Sequence, residues 1–226
     1  MIIGNGLIAS LFSDNDSEDI VFFASGVSNS SETSELQFLR EENLIRETIK
    51  NNSQKTFVYF STCSIYDSSK KNSLYVLHKH KMEEIIMNAM KSFLILRISN
   101  AVGNGGNENL LMNYLVRSLK AGENITIHEK ATRNLIDVSD IKNITLNLLA
   151  NKTNNSIINI AYPENYSIKN LVDIIEVCFN KKTDHTLENT GSGYEISIPE
   201  TENYFVQNSL LDKEEYIVNI LKKYYS

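Results

Sequence analysis

Apolar positions in this chain fall into short unbroken runs, separated by longer segments with helical spacing. Met1-Ile2-Ile3 is apolar, breaks at Gly4-Asn5-Gly6 and resumes as Leu7-Ile8-Ala9-Ser10-Leu11-Phe12, which predicts strand, glycine turn and helix. Ile20-Val21-Phe22-Phe23-Ala24 shows no polar alternation, as suits a strand buried on both faces of a parallel sheet. Between residues 33 and 51 the positions Phe38, Ile45 and Ile49 share a helix face, and Thr56-Phe57-Val58-Tyr59-Phe60 reads as the next strand. Met82, Ile85, Ile86 and Ala89 stand at i, i+3, i+4 and i+7, which predicts a helix over 73–91, with a strand after it at Phe93-Leu94-Ile95-Leu96. Past Gly105-Gly106 the pattern predicts a helix near 109–120, a strand at 125–128, a helix after Ser139 and a strand at Ile157-Ile158-Asn159-Ile160. Two further helices are expected, with Ser167 and Ser209 as their N-caps. Strands alternating with helices at this spacing predict an α/β fold with a mostly parallel sheet, divided into parts at 1–100 and 101–226.

Composition narrows the function classes. The chain has 226 residues, 42% of them hydrophobic and 22% charged, enough for one sizeable core and a minor lobe. A net charge of −6 would be repelled by nucleic acid and by an anionic membrane surface, so neither is an expected partner. No apolar run approaches the roughly 20 residues of a membrane span, and the apolar start reaches Gly4 too soon for a signal peptide, so a cytoplasmic location is expected. Cys63 and Cys178 supply neither a disulfide framework nor a structural zinc site. His78 and His80 diverge on one helix while His128 and His185 are isolated, so no metal is implied.

Three features carry candidate chemistry. Gly4-Asn5-Gly6-Leu7-Ile8-Ala9 fits G-x-G-x-x-G/A, in which one glycine turns the chain, the next lets backbone approach a pyrophosphate, and Ala9 permits close helix packing. The acid that should hold the adenosine ribose about 20 residues on is missing, because Asp14, Asp16, Glu18 and Asp19 all precede the second strand and none follows it. Tyr75 and Lys79 stand four apart near a helix start, and an ammonium beside a phenol favours the phenolate that proton transfer near neutral pH requires. Tyr75 could equally extend the apolar face of its helix, and the abundance of Tyr and Lys produces roughly one such pair by chance. Tyr66 and Lys70 form a second pair, but in a polar stretch and not at the opening of an amphipathic helix. Ser61-Thr62-Cys63-Ser64-Ile65-Tyr66 follows a buried strand, where hydroxyls face a ligand crevice or make ordinary turns.

Taken in order, GNGLIA at 4, FASG at 23, STCSIY at 61, Tyr75 with Lys79, LRISNAVG at 96 and RNLIDVSD at 133 resemble the extended short-chain dehydrogenase/reductases, and within them the nucleotide-sugar epimerase/dehydratase family. The resemblance implies a Rossmann-like, shortened sheet over 1–100 that binds NAD or NADP, and a small C-terminal lobe that binds a nucleoside-diphosphate sugar; it also allows a homodimer. Gly4, Gly6, Leu7, Ile8 and Lys79 would hold the cofactor, Thr62 would bond the sugar oxygen, Tyr75 would be the acid/base tuned by Lys79, and Asn100 and Arg133 would hold the substrate diphosphate. Tyr66 matches the family's Val-Tyr-Gly segment instead of its catalytic phenol. Two family strands between the glycine turn and FASG are absent, and Cys63-Ser64 replace the Asp-Glu of 4,6-dehydratases. The expected activity is therefore reduction of a keto group on a nucleoside-diphosphate 4-keto-6-deoxysugar, with a 4-epimerase or a non-catalytic nucleotide-binding module as alternatives.

Overall fold

A computed structural model of the chain describes residues 1–106, 108 and 110–226. In chain order its elements are β1 (Ile2–Ile3), α1 (Leu7–Ser10), β2 (Ile20–Phe23), α2 (Glu35–Asn51), β3 (Thr56–Thr62), α3 (Leu74–Ala89), β4 (Phe93–Ile98), β5 (Asn100–Val102) and α4 (Leu111–Ala121). There follow β6 (Ile125–His128), β7 (Thr132–Arg133), β8 (Leu135–Asp137), α5 (Val138–Ala150), β9 (Ser156–Ile160), β10 (Tyr166–Ser167), α6 (Ile168–Phe179), β11 (His185–Glu188), α7 (Glu202–Gln207) and α8 (Lys213–Tyr225). They form two compact units, one of Met1–Ser99 with Ser139–Ile160, the other of Asn100–Val138 with Ala161–Ser226. This differs from the expected division at residue 100, since 139–160 return to the first unit, where β9 extends the sheet beside β4. The helix expected from 109 begins at Leu111, and Asn109 lies outside the described residues.

The first unit is a Rossmann-like α/β arrangement, shortened, built on a five-stranded sheet in the order β1-β2-β3-β4-β9 with every pairing parallel. Its strands read as unbroken apolar runs because both faces are covered. Val21, Phe23, Phe57, Tyr59 and Ile95 pack with Ile45 and Ile49 of α2 and with Met82 and Ile86 of α3. The other face of β2 stacks Phe22 on Phe12, with ring centroids 4.4 Å apart. Each such side chain, fully buried, contributes about 1.5–3 kcal/mol relative to exposure. Ser73 caps α3 by accepting from the Val76 amide at 3.3 Å, which fixes where Tyr75 enters the helix.

In the second unit β5 pairs with β8 and β6 with β11, both parallel, and β7 pairs antiparallel with β10. Its core includes Tyr162 stacked on Tyr216 at 4.3 Å with Phe205 edge-on. Ser167 caps α6 by accepting from the Asn170 amide. The last helix is capped not by Ser209, as expected, but by Asp212, whose Oδ1 accepts from the Glu215 amide at 2.9 Å. Ser209 instead adopts a left-handed φ of 56° in the turn that follows α7. The pattern did not predict β11, because its side chains are largely exposed and its existence rests on pairing with β6. Among the described residues no helix is long and apolar enough to cross a membrane.

Candidate active site

The parallel strands of the first unit bring Gly4, Ala24-Ser25 and Thr62 to the carboxyl ends of β1, β2 and β3. Gly4 has φ +125°, and a Cβ there would lie 2.5 Å from the Ala24 carbonyl oxygen, so both the backbone and the close approach to β2 demand glycine. A Cβ on Gly6 would meet nothing within 4 Å, which leaves open space above the turn of the kind a diphosphate needs. Leu7 and Ile8 open α1, which is a single turn of four residues in place of the helix expected to Phe12.

Thr62 ends β3, and its Oγ1 accepts from the Ser64 amide at 3.1 Å, capping a short 3-10 turn over Cys63–Tyr66. Cys63 is buried, donates to the Arg97 carbonyl at 3.0 Å, and burial pushes its thiol pKa up. Tyr66 is held by its hydroxyl, which donates to Asn159 Oδ1 at 3.0 Å and accepts from Arg97 at 3.2 Å. Tyr75 sits in the first turn of α3 at 5% exposure, its ring packed with Val27 and Val76 beside Phe38 and Ile65. Lys79 lies one turn on, its Nζ 5.8 Å from the centre of the Tyr75 ring.

Lys79 is only 2% exposed, and its ammonium donates to Glu41 Oε1 at 3.0 Å and to the Tyr59 hydroxyl at 3.1 Å. Gly26 closes over this pair so tightly that a Cβ there would stand 2.6 Å from Nζ. The cofactor-ribose contact expected of Lys79 is therefore not offered by this geometry, and the charge expected to tune Tyr75 is compensated by a buried carboxylate. The physical reason is Glu41, on the core side of α2 and itself fully buried. Its Oε1 also accepts from Tyr59 at 2.7 Å, and its Oε2 takes the Val27 amide at 2.7 Å and lies 3.0 Å from His78 Nε2. Burial alone would raise the Glu41 pKa, but the Lys79 charge and the bonds from His78, Tyr59 and Val27 outweigh it and hold the carboxyl at about 2. Burial and the neighbouring Glu41 charge push the Tyr59 phenol well above its ordinary value.

A second buried acid, Glu83 of α3, accepts from Ser61 at 2.6 Å and from Arg97 at 2.6 and 3.0 Å. Lys79 and Glu83 stand at i, i+4 on one helix, yet the shortest ion pair of each is to another element, Glu41 of α2 and Arg97 of β4. In the second unit Asn100 Nδ2 donates at 2.7 Å to the carbonyl of Asn134, the residue after Arg133. Arg133 spends Nη1 on the Thr132 and Ser192 carbonyls, at 2.7 and 2.9 Å. Neither is a free surface side chain. Sequence reasoning passed over Glu41, Tyr59, Glu83 and Arg97; the available signal was that Glu41 precedes Ile45 and Ile49 by four and eight, on the buried stripe of α2.

A family profile described as the NAD dependent epimerase/dehydratase family matches residues 4–161. Among solved structures, RMD from Pseudomonas aeruginosa, complexed with NADPH, superimposes at a TM-score of 0.70 and 14% identity over 91% of this chain and 80% of that one. UDP-glucuronic acid 4-epimerase from Bacillus cereus, in complex with UDP-glucuronic acid and NAD, gives 0.69 and 19% over 96% and 79%. UDP-N-acetylglucosamine 4-epimerase from Methanobrevibacter ruminantium, in complex with UDP-N-acetylmuramic acid, gives 0.64 and 18% over 92% and 79%. None of the curated proteins compared with the chain matches it. At these identities the structural likeness establishes the fold, and chemistry has to be argued from the site.

Proposed function

The chain belongs to the NAD-dependent epimerase/dehydratase family, and from that premise we propose that it reduces a keto group of a nucleoside-diphosphate 4-keto-6-deoxysugar, using NAD(P)H. The observation that carries reduction over 4-epimerisation is the open sheet edge at β1, which pairs only with β2 among the described residues. An epimerase must keep its cofactor while hydride leaves and returns, whereas a reductase exchanges it every cycle, and a site with one wall suits exchange. Dehydration is disfavoured because the residue after Thr62 is the buried thiol of Cys63, bonded to the Arg97 carbonyl, where an acid or base would be required. The cofactor fits in part: the space next to Gly6 is open, as a diphosphate there would require, while the adenosine side has no strand among the described residues to lie against.

When bound, the nicotinamide supplies the hydride. Tyr75 is assigned the proton that goes to the keto oxygen and Thr62 the hydrogen bond that orients that oxygen. Lys79 is assigned a positioning role, fixing the first turns of α3 through Glu41 and Tyr59. A second reading, a module that binds nucleotide sugar without turnover, is favoured by the compensation of Lys79 by Glu41. The two separate by following oxidation of NADH and NADPH by the intact protein with a nucleoside-diphosphate 4-keto-6-deoxyhexose. Turnover abolished in Tyr75→Phe supports the reductase, and nucleotide-sugar binding without turnover supports the module.

A further inference from the structure

A Rossmann sheet binds its dinucleotide where strand order reverses, with the diphosphate over the first strand and the adenosine ribose held by the strand on the far side. Here the order runs one way, from β1 to β9, and never reverses. β1 is two residues long, aligned Ile2 with Phe22 and Ile3 with Phe23, and no described strand lies on its outer side.

The residues between α1 and β2 do not substitute for the missing wall. They return to the amino end of the sheet, where the Met1 amino group donates to the Ser17 and Ile20 carbonyls at 2.6 and 2.7 Å and pairs with Asp16 at 2.6 Å. The Asp19 carbonyl accepts from the Thr56 amide at that same end. Asp16, Glu18 and Asp19 thus lie at the end of β2 opposite the turn at Gly4 to Gly6, about 13 Å of strand away at about 3.3 Å per residue, and Asp14 sits in the short turn that follows α1. Arg40 of α2 reaches the carboxyl end of β2 and is committed there, with Nη1 and Nη2 on Ser25 at 3.2 and 3.0 Å and Nε on Gln37 of its own helix at 3.3 Å. Among the described residues of this end of the sheet, neither an acid for a ribose 2′-hydroxyl nor an uncommitted arginine for a 2′-phosphate is in place.

We propose that this chain leaves the adenosine half of a nicotinamide dinucleotide unread, so that NADH, NADPH and reduced nicotinamide mononucleotide bind with like affinity. The inference rests on the cofactor reading above. A hydrogen bond to a charged acid is worth about ten- to a hundredfold in affinity, and that discrimination is what the missing strand removes.

The test is calorimetric titration of the intact protein with each of the three ligands at one ionic strength, with Arg40→Ala run in parallel. Dissociation constants within about threefold of one another, unchanged in Arg40→Ala, are expected, since none of the adenosine groups meets a discriminating partner. A preference of about tenfold or more for either dinucleotide over the mononucleotide overturns the inference and leaves the cofactor reading standing. An NADPH preference that vanishes in Arg40→Ala overturns it and identifies the arginine as the 2′-phosphate reader. Binding of none of the three overturns the inference together with the cofactor reading, and a nucleotide sugar that still raises the melting temperature then leaves the binding module.

Discussion

Replacing Glu41 by Gln tests whether the buried pair with Lys79 holds the first unit together. The Glu41 carboxyl is held at about 2 against an ordinary 4.5, and at about 1.36 kcal/mol per unit this depression corresponds to about 3 kcal/mol of stability near neutral pH. That agrees with the about 3–5 kcal/mol typical of breaking a buried pair. The folded value is depressed, so the contribution is fully present above about pH 4.5 and is lost as pH falls toward 2; by pH 3.5 about 2 kcal/mol remains. Lys79→Met predicts a shallower slope. It removes the largest of the influences that lower the Glu41 pKa, which then rises toward its unfolded value while burial still opposes the bonds from His78, Tyr59 and Val27, so the variant loses less further stability than the parent as pH is lowered. Urea midpoints followed by far-ultraviolet circular dichroism between pH 7 and 3.5 check both, with a drop in melting temperature of about 6–12 °C expected for Glu41→Gln at pH 7. The double variant is expected to lose less than the two single losses added, because both remove one interaction. A Glu41→Gln protein within about 1 kcal/mol of the parent at every pH, or a Lys79→Met protein with unchanged stability, would refute the argument.

Tyr75→Phe keeps the packed ring and is expected to lower turnover about 10²–10⁴-fold with an unchanged melting temperature, while Tyr66→Phe, which only releases Asn159 and Arg97, is expected to retain activity. Gly4→Ala sets a Cβ 2.5 Å from the Ala24 carbonyl oxygen at φ +125°, and thermal melts are expected to show a loss of about 1–3 kcal/mol. Gly6→Ala meets open space and is expected to stay within about 1 kcal/mol of the parent, so that any lost cofactor affinity belongs to the site.

The central strands were legible because each is apolar on both faces, and a run such as Val21-Phe22-Phe23 has one sensible place in a parallel sheet. The missing wall beyond β1 was legible too, since residues 13–19 leave no length for two further strands. What eluded the sequence are partners brought together across elements. Glu41 and Glu42 are adjacent and chemically identical, yet Glu42 makes surface pairs with Arg46 and Lys81 while Glu41 is buried against a lysine 38 positions away. Helical spacing placed Tyr75 and Lys79 on one face, but it carries no information about what α2 presents to that face. Ser209 and Asp212 both suit an N-cap by residue type, and the left-handed turn after α7 decides between them.

These long-range bonds also bear on the loop at the end of β2. In a full Rossmann sheet a neighbouring strand and its cofactor would steady that loop, but here α2 does so from below: Glu41 Oε2 accepts the Val27 amide, and Arg40 grips Ser25. If the buried carboxylate is what fixes the loop, the Val27 amide should exchange its hydrogen slowly in the parent protein, through an opening that also breaks the pair with Lys79. In Glu41→Gln one oxygen becomes an NH₂ donor, so the site must set a donor against either the Val27 amide or the Lys79 ammonium. The amide is then expected to exchange about a hundredfold faster, in line with the loss of about 3 kcal/mol calculated for the pair. Unchanged protection at Val27 with lost global stability would mean that the loop is held by the packing of the Val27 side chain on Tyr75, and that the carboxylate stabilises only the helices.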